Sequence, residues 1–168
     1  MNKKLNIGVI SCSVMAQLHM KAVIDHPNAE LYMICDINEA LLNETAAKYN
    51  ISRKTTDYRQ MLAAPAVDAV IIVTPDQTHR EISVAALEAG KHVLCEKPMA
   101  LTLDDCKAMI DAAAKAKTKM MVGQICRYTP GFVAAKNLIE RGEIGELFFV
   151  ETEYAHDYAH IDVEWRLD

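Results

Sequence analysis

Apolar and polar positions along this chain follow two rhythms that hand over to each other repeatedly. Leu5, Ile7, Val9 and Ile10 form a short apolar run, long enough for a buried strand. Ser11-Cys12-Ser13 breaks it with small residues, and from Met15 the apolar positions take helical spacing, with Met15, Leu18, Ala22 and Val23 on one side. The run 31–35 predicts a second strand, ending at Asp36. Asn38 caps a predicted helix that runs through Tyr49 and carries Leu41, Leu42, Ala46 and Ala47. A short strand near Lys54 and Thr55 and a helical turn over 57–62 follow. The stretch 69–73 is continuous and rich in β-branched residues, as in a parallel strand covered on both faces, and Thr74-Pro75 stops it.

The same alternation continues. Thr78 with Glu81 predicts a capping box, and the helix it opens runs to Gly90, a natural residue just past a helix end. Residues 92–95 predict a strand, followed by Glu96-Lys97-Pro98. Thr102 caps a helix carrying Leu103, Cys106, Met109, Ile110 and Ala113, and 120–123 predicts another strand. Thr129-Pro130 opens a further helix that ends before Gly142, since proline at the first helical position loses no bond. Strand and helix alternate throughout, so the economical fold is α/β, a Rossmann-type doubly wound parallel sheet. The rhythm changes after Glu146. Over 147–154, Phe148, Val150, Thr152 and Tyr154 share one face while Leu147, Phe149, Glu151 and Glu153 share the other. That predicts an antiparallel strand of a different sheet, the first strand of a truncated second α/β domain. The predicted organisation is a dinucleotide-binding domain over 1–125 and the start of a substrate or dimerisation domain over 126–168.

The first turn carries the first candidate chemistry. Strand, tight turn of small residues, then helix is how a dinucleotide-binding unit begins, and the free N–H groups of the helix start suit a pyrophosphate. Ser11, Cys12, Ser13, Val14 and Met15 are therefore candidate cofactor-binding residues. The usual turn reads Gly-x-Gly-x-x-Gly/Ala, and here Ser11, Ser13 and Ala16 occupy those places. The pattern is degenerate, and alone it divides evenly between a nucleotide site and an ordinary βα turn. Asp36 lies 25 residues beyond Ser11, near the interval of the ribose-binding acid. Its carboxylate would accept from both ribose hydroxyls and repel a 2′-phosphate, and Ile37 offers no compensating cation. This favours NAD over NADP, although an Asp before a helix cap also reads simply as a turn residue.

Composition narrows the classes. The 168 residues are 51% apolar, enough for a sizeable core, and the net charge of −5 with scattered lysines gives no footprint for nucleic acid. Lys115, Lys117 and Lys119 are the densest basic run and lie where a helix should end. Met1-Asn2-Lys3-Lys4 begins like a signal peptide, but Asn6, Ser11 and Ser13 interrupt any apolar core of one. No apolar run approaches the length of a membrane span. Five irregularly spaced cysteines point to neither a disulfide framework nor a zinc site, and Cys35 and Cys95, ending apolar strands, read as small hydrophobes in a reducing, cytoplasmic compartment. His156 and His160, four apart with Asp157 and Asp162 nearby, superficially suggest metal, but that spacing needs a helix and none is predicted; no metal is assigned.

By Glu96-Lys97-Pro98 the pattern resembles the N-terminal half of the glucose–fructose oxidoreductase / inositol dehydrogenase (Gfo/Idh/MocA) family. The matching pieces are the turn 10–16 with His19 behind it, Asp36, Thr74-Pro75, His79, Glu96-Lys97-Pro98, Arg127-Tyr128-x-Pro130, Gly142-x-Ile144-Gly145 and Trp165-Arg166. The Glu-Lys-Pro segment is the sharpest and the serine-substituted turn the weakest. The resemblance implies a Rossmann domain followed by an α/β domain with a large open sheet. It implies an oxidoreductase that uses NAD(P) on a hydroxyl or carbonyl of a sugar, cyclitol or related small molecule, in a homo-oligomer.

By the same resemblance Lys97 would sit beside the nicotinamide as the catalytic residue and hydrogen-bond the reacting oxygen. The residue type fits, because an ammonium stabilises alkoxide character as hydride leaves a carbinol carbon. Glu96 would orient that ammonium, and Pro98 would stiffen the loop. Thr74, Pro75 and Glu96 join the candidate cofactor-binding residues. His79 would lie above the cofactor near the crevice, or else is a polar residue starting a capped helix. Arg127 would face substrate or nucleotide, or else join domains by a salt bridge. The family's second domain supplies an Asp and a catalytic His further on, so residues 1–168 alone are expected to bind cofactor without turnover. Two other classes stay open at this point: a nucleotide-binding or interaction module without catalysis, and another Rossmann-like class such as a methyltransferase, against which Glu96-Lys97-Pro98 argues.

Overall fold

A computed structural model describes residues 4–153 and residue 155. Its contacts divide the chain into two units, Met1–Gly123 and Gln124–Asp168.

The first unit is a parallel sheet with helices on both faces. Its strands are β1 (Leu5–Ile10), β2 (Ala29–Cys35), β3 (Lys54–Thr55), β4 (Ala69–Ile72), β5 (His92–Cys95) and β6 (Met120–Val122). They are joined by α1 (Val14–Asp25), α2 (Glu39–Tyr49), α3 (Tyr58–Ala63), α4 (His79–Glu88) and α5 (Leu103–Lys115). All strand pairs are parallel, in the order β3-β2-β1-β4-β5-β6. The chain starts in the middle, winds outward through β2 and β3, then crosses back to β4 on the other side of β1. The direction of winding therefore reverses between β1 and β4, and the crevice opened there at the strands' carboxyl ends is where such sheets take ligands.

Period-two alternation distributes the strand side chains between two cores. Ile7, Val9, Leu31, Ile71 and Val73 pack with Ala16, Met20 and Val23 of α1 and Leu42 and Ala46 of α2. Ile10, Val70, Ile72, Val93 and Cys95 pack on the other face with Met61 and Leu62 of α3, Ile82, Ala86 and Leu87 of α4, and Met109 of α5. Gly8 lies on this second face because the fully buried Met61 side chain occupies the space that a Cβ there would need. Asn38 accepts from the Leu41 N–H and Thr102 from the Asp105 N–H, so both predicted caps are present.

Three expectations are corrected. Helix α1 buries Ala16, Met20 and Val23, whereas Met15 and Leu18 are exposed. This helix is apolar on more than one side, so spacing alone did not select the stripe at i, i+4 and i+7 that the sheet covers. The Thr78–Glu81 capping box does not form, because Thr78 ends a 3-10 turn (Asp76–Thr78) and its hydroxyl turns back to Thr74 Oγ1 and the Pro75 carbonyl, both at 2.7 Å. Glu81 instead accepts from Tyr58 Oη at 2.6 Å and from Arg59 at 2.8 Å.

The third concerns the second unit. A 3-10 turn (Ile125–Tyr128) leads there into α6 (Pro130–Glu140), with Pro130 at its start and Gly142 in the left-handed region just past its end. Residues 147–153 form no strand. Alternating side chains give a strand two faces, but its backbone still needs a neighbouring ladder, and none of the described residues supplies one. Tyr154, the metal-like group His156, Asp157, His160 and Asp162, and Trp165-Arg166 lie outside the described residues.

Candidate functional site

The crevice between β1 and β4 is built first by the turn after β1. Ser11 has φ of 102°, in the region a glycine would take without cost and a serine takes with strain. Its hydroxyl accepts from the Ser13 N–H at 3.1 Å, while the Ser11 N–H donates to the Cys35 carbonyl at 2.7 Å, lacing the turn to the end of β2. Ser13 caps α1, its side chain accepting from the Ala16 N–H at 3.4 Å. Among the described residues the N–H groups of Val14 and Met15, at the start of α1, have no partner. Ser11 thus takes a glycine-like conformation at the expense of strain, while Ser13, at φ of −58°, does not.

Asp36 follows β2 directly and does two structural tasks. One carboxylate oxygen accepts from the Cys12 N–H at 2.7 Å and the other from the Asn38 N–H at 2.8 Å. The first bond ties the acid to the turn and uses up the Cys12 N–H, so this candidate is engaged by protein. Each oxygen retains a further lone pair for a hydroxyl donor. Beside the acid opens a cavity of about 270 Å³ whose walls include Ile10, Ser11, Ile37, Pro75, Thr78 and Ile82. Thr74 and Tyr58 also reach it, so the candidates Ser11, Asp36, Thr74 and Pro75 line one cavity. Tyr58 and Ile82 were missed, because the only signals they carry are the ordinary apolar spacing of α3 and α4.

Buried thiols surround the acid. Burial, with the Asp36 carboxylate second, pushes Cys12 up to about 11 and Cys35 up to about 12. Cys95, before the Glu-Lys-Pro segment, is raised to about 11, again chiefly by burial. These are inert, protonated thiols that pack as small hydrophobes.

The other end of the crevice lies after β5. Lys97 is exposed, and its ammonium has no partner among the described residues; a cis peptide joins it to Pro98. Glu96 is 7% exposed, and its oxygens are taken by His19 Nε2 at 2.8 Å and by the Lys97 backbone N–H at 2.9 Å. The expectation that Glu96 orients the Lys97 ammonium is therefore corrected: the carboxylate is turned inward and holds the backbone of Lys97. His79 is also placed differently from expectation. It is 1% exposed, with Nδ1 2.8 Å from the Pro98 carbonyl and Nε2 2.9 Å from the Thr74 carbonyl. It lies beneath the loops after β4 and β5 and joins them, instead of lying above the crevice. As the first residue of α4, its ring is directed into the fold, where the free loop carbonyls need donors. Arg127 lies in the 3-10 turn of the second unit, exposed.

The sequence and the fold both have relatives. A family described as an oxidoreductase family with an NAD-binding Rossmann fold (Gfo/Idh/MocA) matches residues 5–124. The chain is 33% identical to a levoglucosan dehydrogenase of Pseudarthrobacter phenanthrenivorans over 175 aligned positions, covering 98% of this chain and 45% of that protein. It is 34% identical to an inositol 2-dehydrogenase of Salmonella typhimurium, over 87% of this chain and 44% of the relative. Among solved structures, the WlbA dehydrogenase of Bordetella pertussis, crystallised with NADH and UDP-GlcNAcA, superimposes with a TM-score of 0.80 at 31% identity, covering 85% of this chain and 44% of that one. The chain thus spans less than half the length of the relatives it matches. Its strand order is that of a dinucleotide-binding Rossmann sheet, and the chain belongs to the Gfo/Idh/MocA oxidoreductase family, of which it carries the NAD-binding Rossmann fold.

Proposed function

We propose that this chain is the cofactor-binding part of an NAD-dependent dehydrogenase acting on a CH–OH group, or the matching carbonyl, of a sugar, cyclitol or related small molecule. One observation carries the reading. The strained turn after β1, the acid after β2 and the cavity between them meet at the switch point of the sheet, where a dinucleotide lies in this fold. The cavity suits an adenosine, with Ile10, Pro75 and Ile82 against the base and Asp36 at its edge for the ribose hydroxyls. The N–H groups of Val14 and Met15 suit the pyrophosphate. A nicotinamide, when bound, accepts or returns the hydride. Lys97 then supplies the ammonium that hydrogen-bonds the reacting oxygen and stabilises its negative charge as the proton leaves. Relatives named for levoglucosan and inositol support a polyhydroxylated substrate.

In this reading residues 126–168 begin the substrate or dimerisation domain, Arg127 faces substrate or nucleotide, the enzyme is a homo-oligomer, and it works in the cytoplasm. Among the described residues no helix is long and apolar enough to cross a membrane. Calorimetric titration with NADH and NADPH tests the cofactor assignment. Asp36 confronts the 2′ position and Ile37, which is 91% exposed, brings no cation, so NADH should bind at least about tenfold more tightly, the ratio worth about 1.4 kcal/mol. Equal affinity, or preference for the phosphorylated form, would overturn it. Asp36→Ala should weaken NADH and, by freeing the Cys12 N–H, loosen the turn as well.

A further inference from the structure

Glu96 is the meeting point of three elements. From α1 comes His19 Nε2, 2.8 Å from Oε1. From the segment after β5 comes the Lys97 N–H, 2.9 Å from Oε2. From the end of β6 comes Gly123, whose N–H donates to the Cys95 carbonyl at 2.7 Å and whose missing side chain leaves room, since a Cβ there would stand 3.4 Å from Oε1. A carboxylate this buried needs its charge answered by donors, and with Glu96 ionised the ring Nε2 must carry the hydrogen of its bond. Lys97 itself has no side-chain partner among the described residues. The location of its ammonium therefore depends on where its backbone is held, and the backbone is held by Glu96.

We propose that His19 is a positioning residue for Lys97. Through Glu96 it fastens the lysine-bearing segment to α1, the helix whose first turn offers the Val14 and Met15 N–H groups. The pyrophosphate and the nicotinamide side of the cofactor are then held in register by one helix. The inference rests on the reading of Lys97 as the group beside the nicotinamide. It also gives that lysine an electrostatic signature. The oxidised nicotinamide ring is a cation and the reduced one is neutral, so a nearby ammonium disfavours NAD⁺ relative to NADH, and more strongly the closer it is held.

The experiment uses the 168-residue chain and measures affinities for NAD⁺, NADH and ADP-ribose by calorimetry, with thermal unfolding alongside. Lys97→Ala should shrink the preference for NADH over NAD⁺ by about threefold or more. His19→Leu, which removes the donor, should shrink it by about twofold or more while leaving ADP-ribose affinity within about twofold, because only the nicotinamide end is displaced. His19→Gln, whose amide can donate to Oε1, should restore the ratio. In the Lys97→Ala background His19→Leu should change the ratio no further, the non-additivity expected of one residue acting through another.

A purely structural His19 would lower the unfolding temperature and weaken all three ligands together. That result overturns the proposal, as does a ratio that His19→Leu shifts equally with and without Lys97. Should His19→Leu not fold, His19→Gln paired with His19→Ala decides, since alanine also removes the donor and leaves the Glu96 charge in place. The first should keep the wild-type ratio and the second should lower it, and equal ratios would overturn the proposal. If wild-type protein binds ADP-ribose but Lys97→Ala leaves the ratio unmoved, the premise about Lys97 fails and the inference with it, while the cofactor site stands. If ADP-ribose does not bind at all, the cofactor reading itself is wrong.

Discussion

The two ends of the crevice are built by opposite means. After β1 the backbone does most of the work. Ser11 is held at positive φ, the Cys12 N–H is tied to Asp36, and the Val14 and Met15 N–H groups have no partner among the described residues. After β5 a buried side chain does it: Glu96 gathers His19 and the Lys97 N–H, and the exposed Lys97 ammonium has no partner among the described residues. Each design would suit the task proposed for it. A pyrophosphate is recognised by fixed N–H groups and tolerates any side chain that keeps the turn's shape. A reacting oxygen needs one charged group at one place, held without a partner that would compete for its charge.

The largest effect should separate the two ends outright. In an enzyme preparation that turns over a polyol, Lys97→Ala should lower kcat by about 10²–10³-fold, the usual range for removing one oriented donor to a developing oxyanion. Affinity for ADP-ribose, which engages only the turn end, should stay within about twofold. Steady-state kinetics and calorimetry together decide. A Lys97→Ala enzyme with near-normal turnover, or one that loses ADP-ribose as well, would erase the contrast.

A smaller effect measures the strain at the turn. Ser11→Ala and Ser11→Gly both lose the hydroxyl that accepts from the Ser13 N–H, so their difference isolates the backbone. Holding a non-glycine residue at positive φ costs about 1–3 kcal/mol, against about 0.5–1 kcal/mol of extra chain entropy lost by glycine. Ser11→Gly should therefore be the more stable of the two by about 1 kcal/mol in chemical denaturation, and should bind NADH at least as well as the wild type. If alanine were tolerated as well as glycine, the turn would not be strained in solution.

These contrasts also mark what could be read from the residues alone. The parallel sheet was legible because continuous β-branched runs such as 69–72 alternate with capped helices, and Asn38 and Thr102 cap as their spacing implied. Which stripe of α1 is buried was not legible, because Met15, Leu18 and Val14 are as apolar as the residues that pack, and only the sheet chooses. Thr78 failed as a cap because its hydroxyl had a better local partner in Thr74, a competition that spacing does not reveal. The strand over 147–153 failed because a strand is a property of its neighbours. Of the candidate site, the positions of Asp36 directly after β2 and of Lys97 after β5 were legible from the chain. The inward turn of Glu96 and the burial of His79 were not, since both depend on contacts across 77 and 19 residues.

The smallest effect concerns the thiols distributed between the two ends, Cys12 and Cys35 beside Asp36 and Cys95 before Glu96. All three are raised in the folded protein, to about 11, 12 and 11, chiefly because burial disfavours the thiolate. In the unfolded chain a cysteine titrates near pH 8.5. Between these values the folded state binds more protons than the unfolded one, so stability must fall as pH rises. The contribution is intact below about pH 8.5 and is lost progressively as pH climbs toward 11–12. The thermal midpoint should accordingly hold steady up to about pH 8 and then decline. Replacing Cys35, which has the most strongly raised thiol and stands nearest the acid, by alanine should flatten that decline more than replacing the half-exposed Cys106. Alkylation of the native protein at pH 8 supplies the cross-check. Cys106 and Cys126 should react first, and Cys12, Cys35 and Cys95 only at the rate of opening. Rapid labelling of Cys12 but not Cys95 would show that the turn end opens more readily than the lysine end, and would refine the comparison between them. Equal protection would mean that one cooperative core supports both.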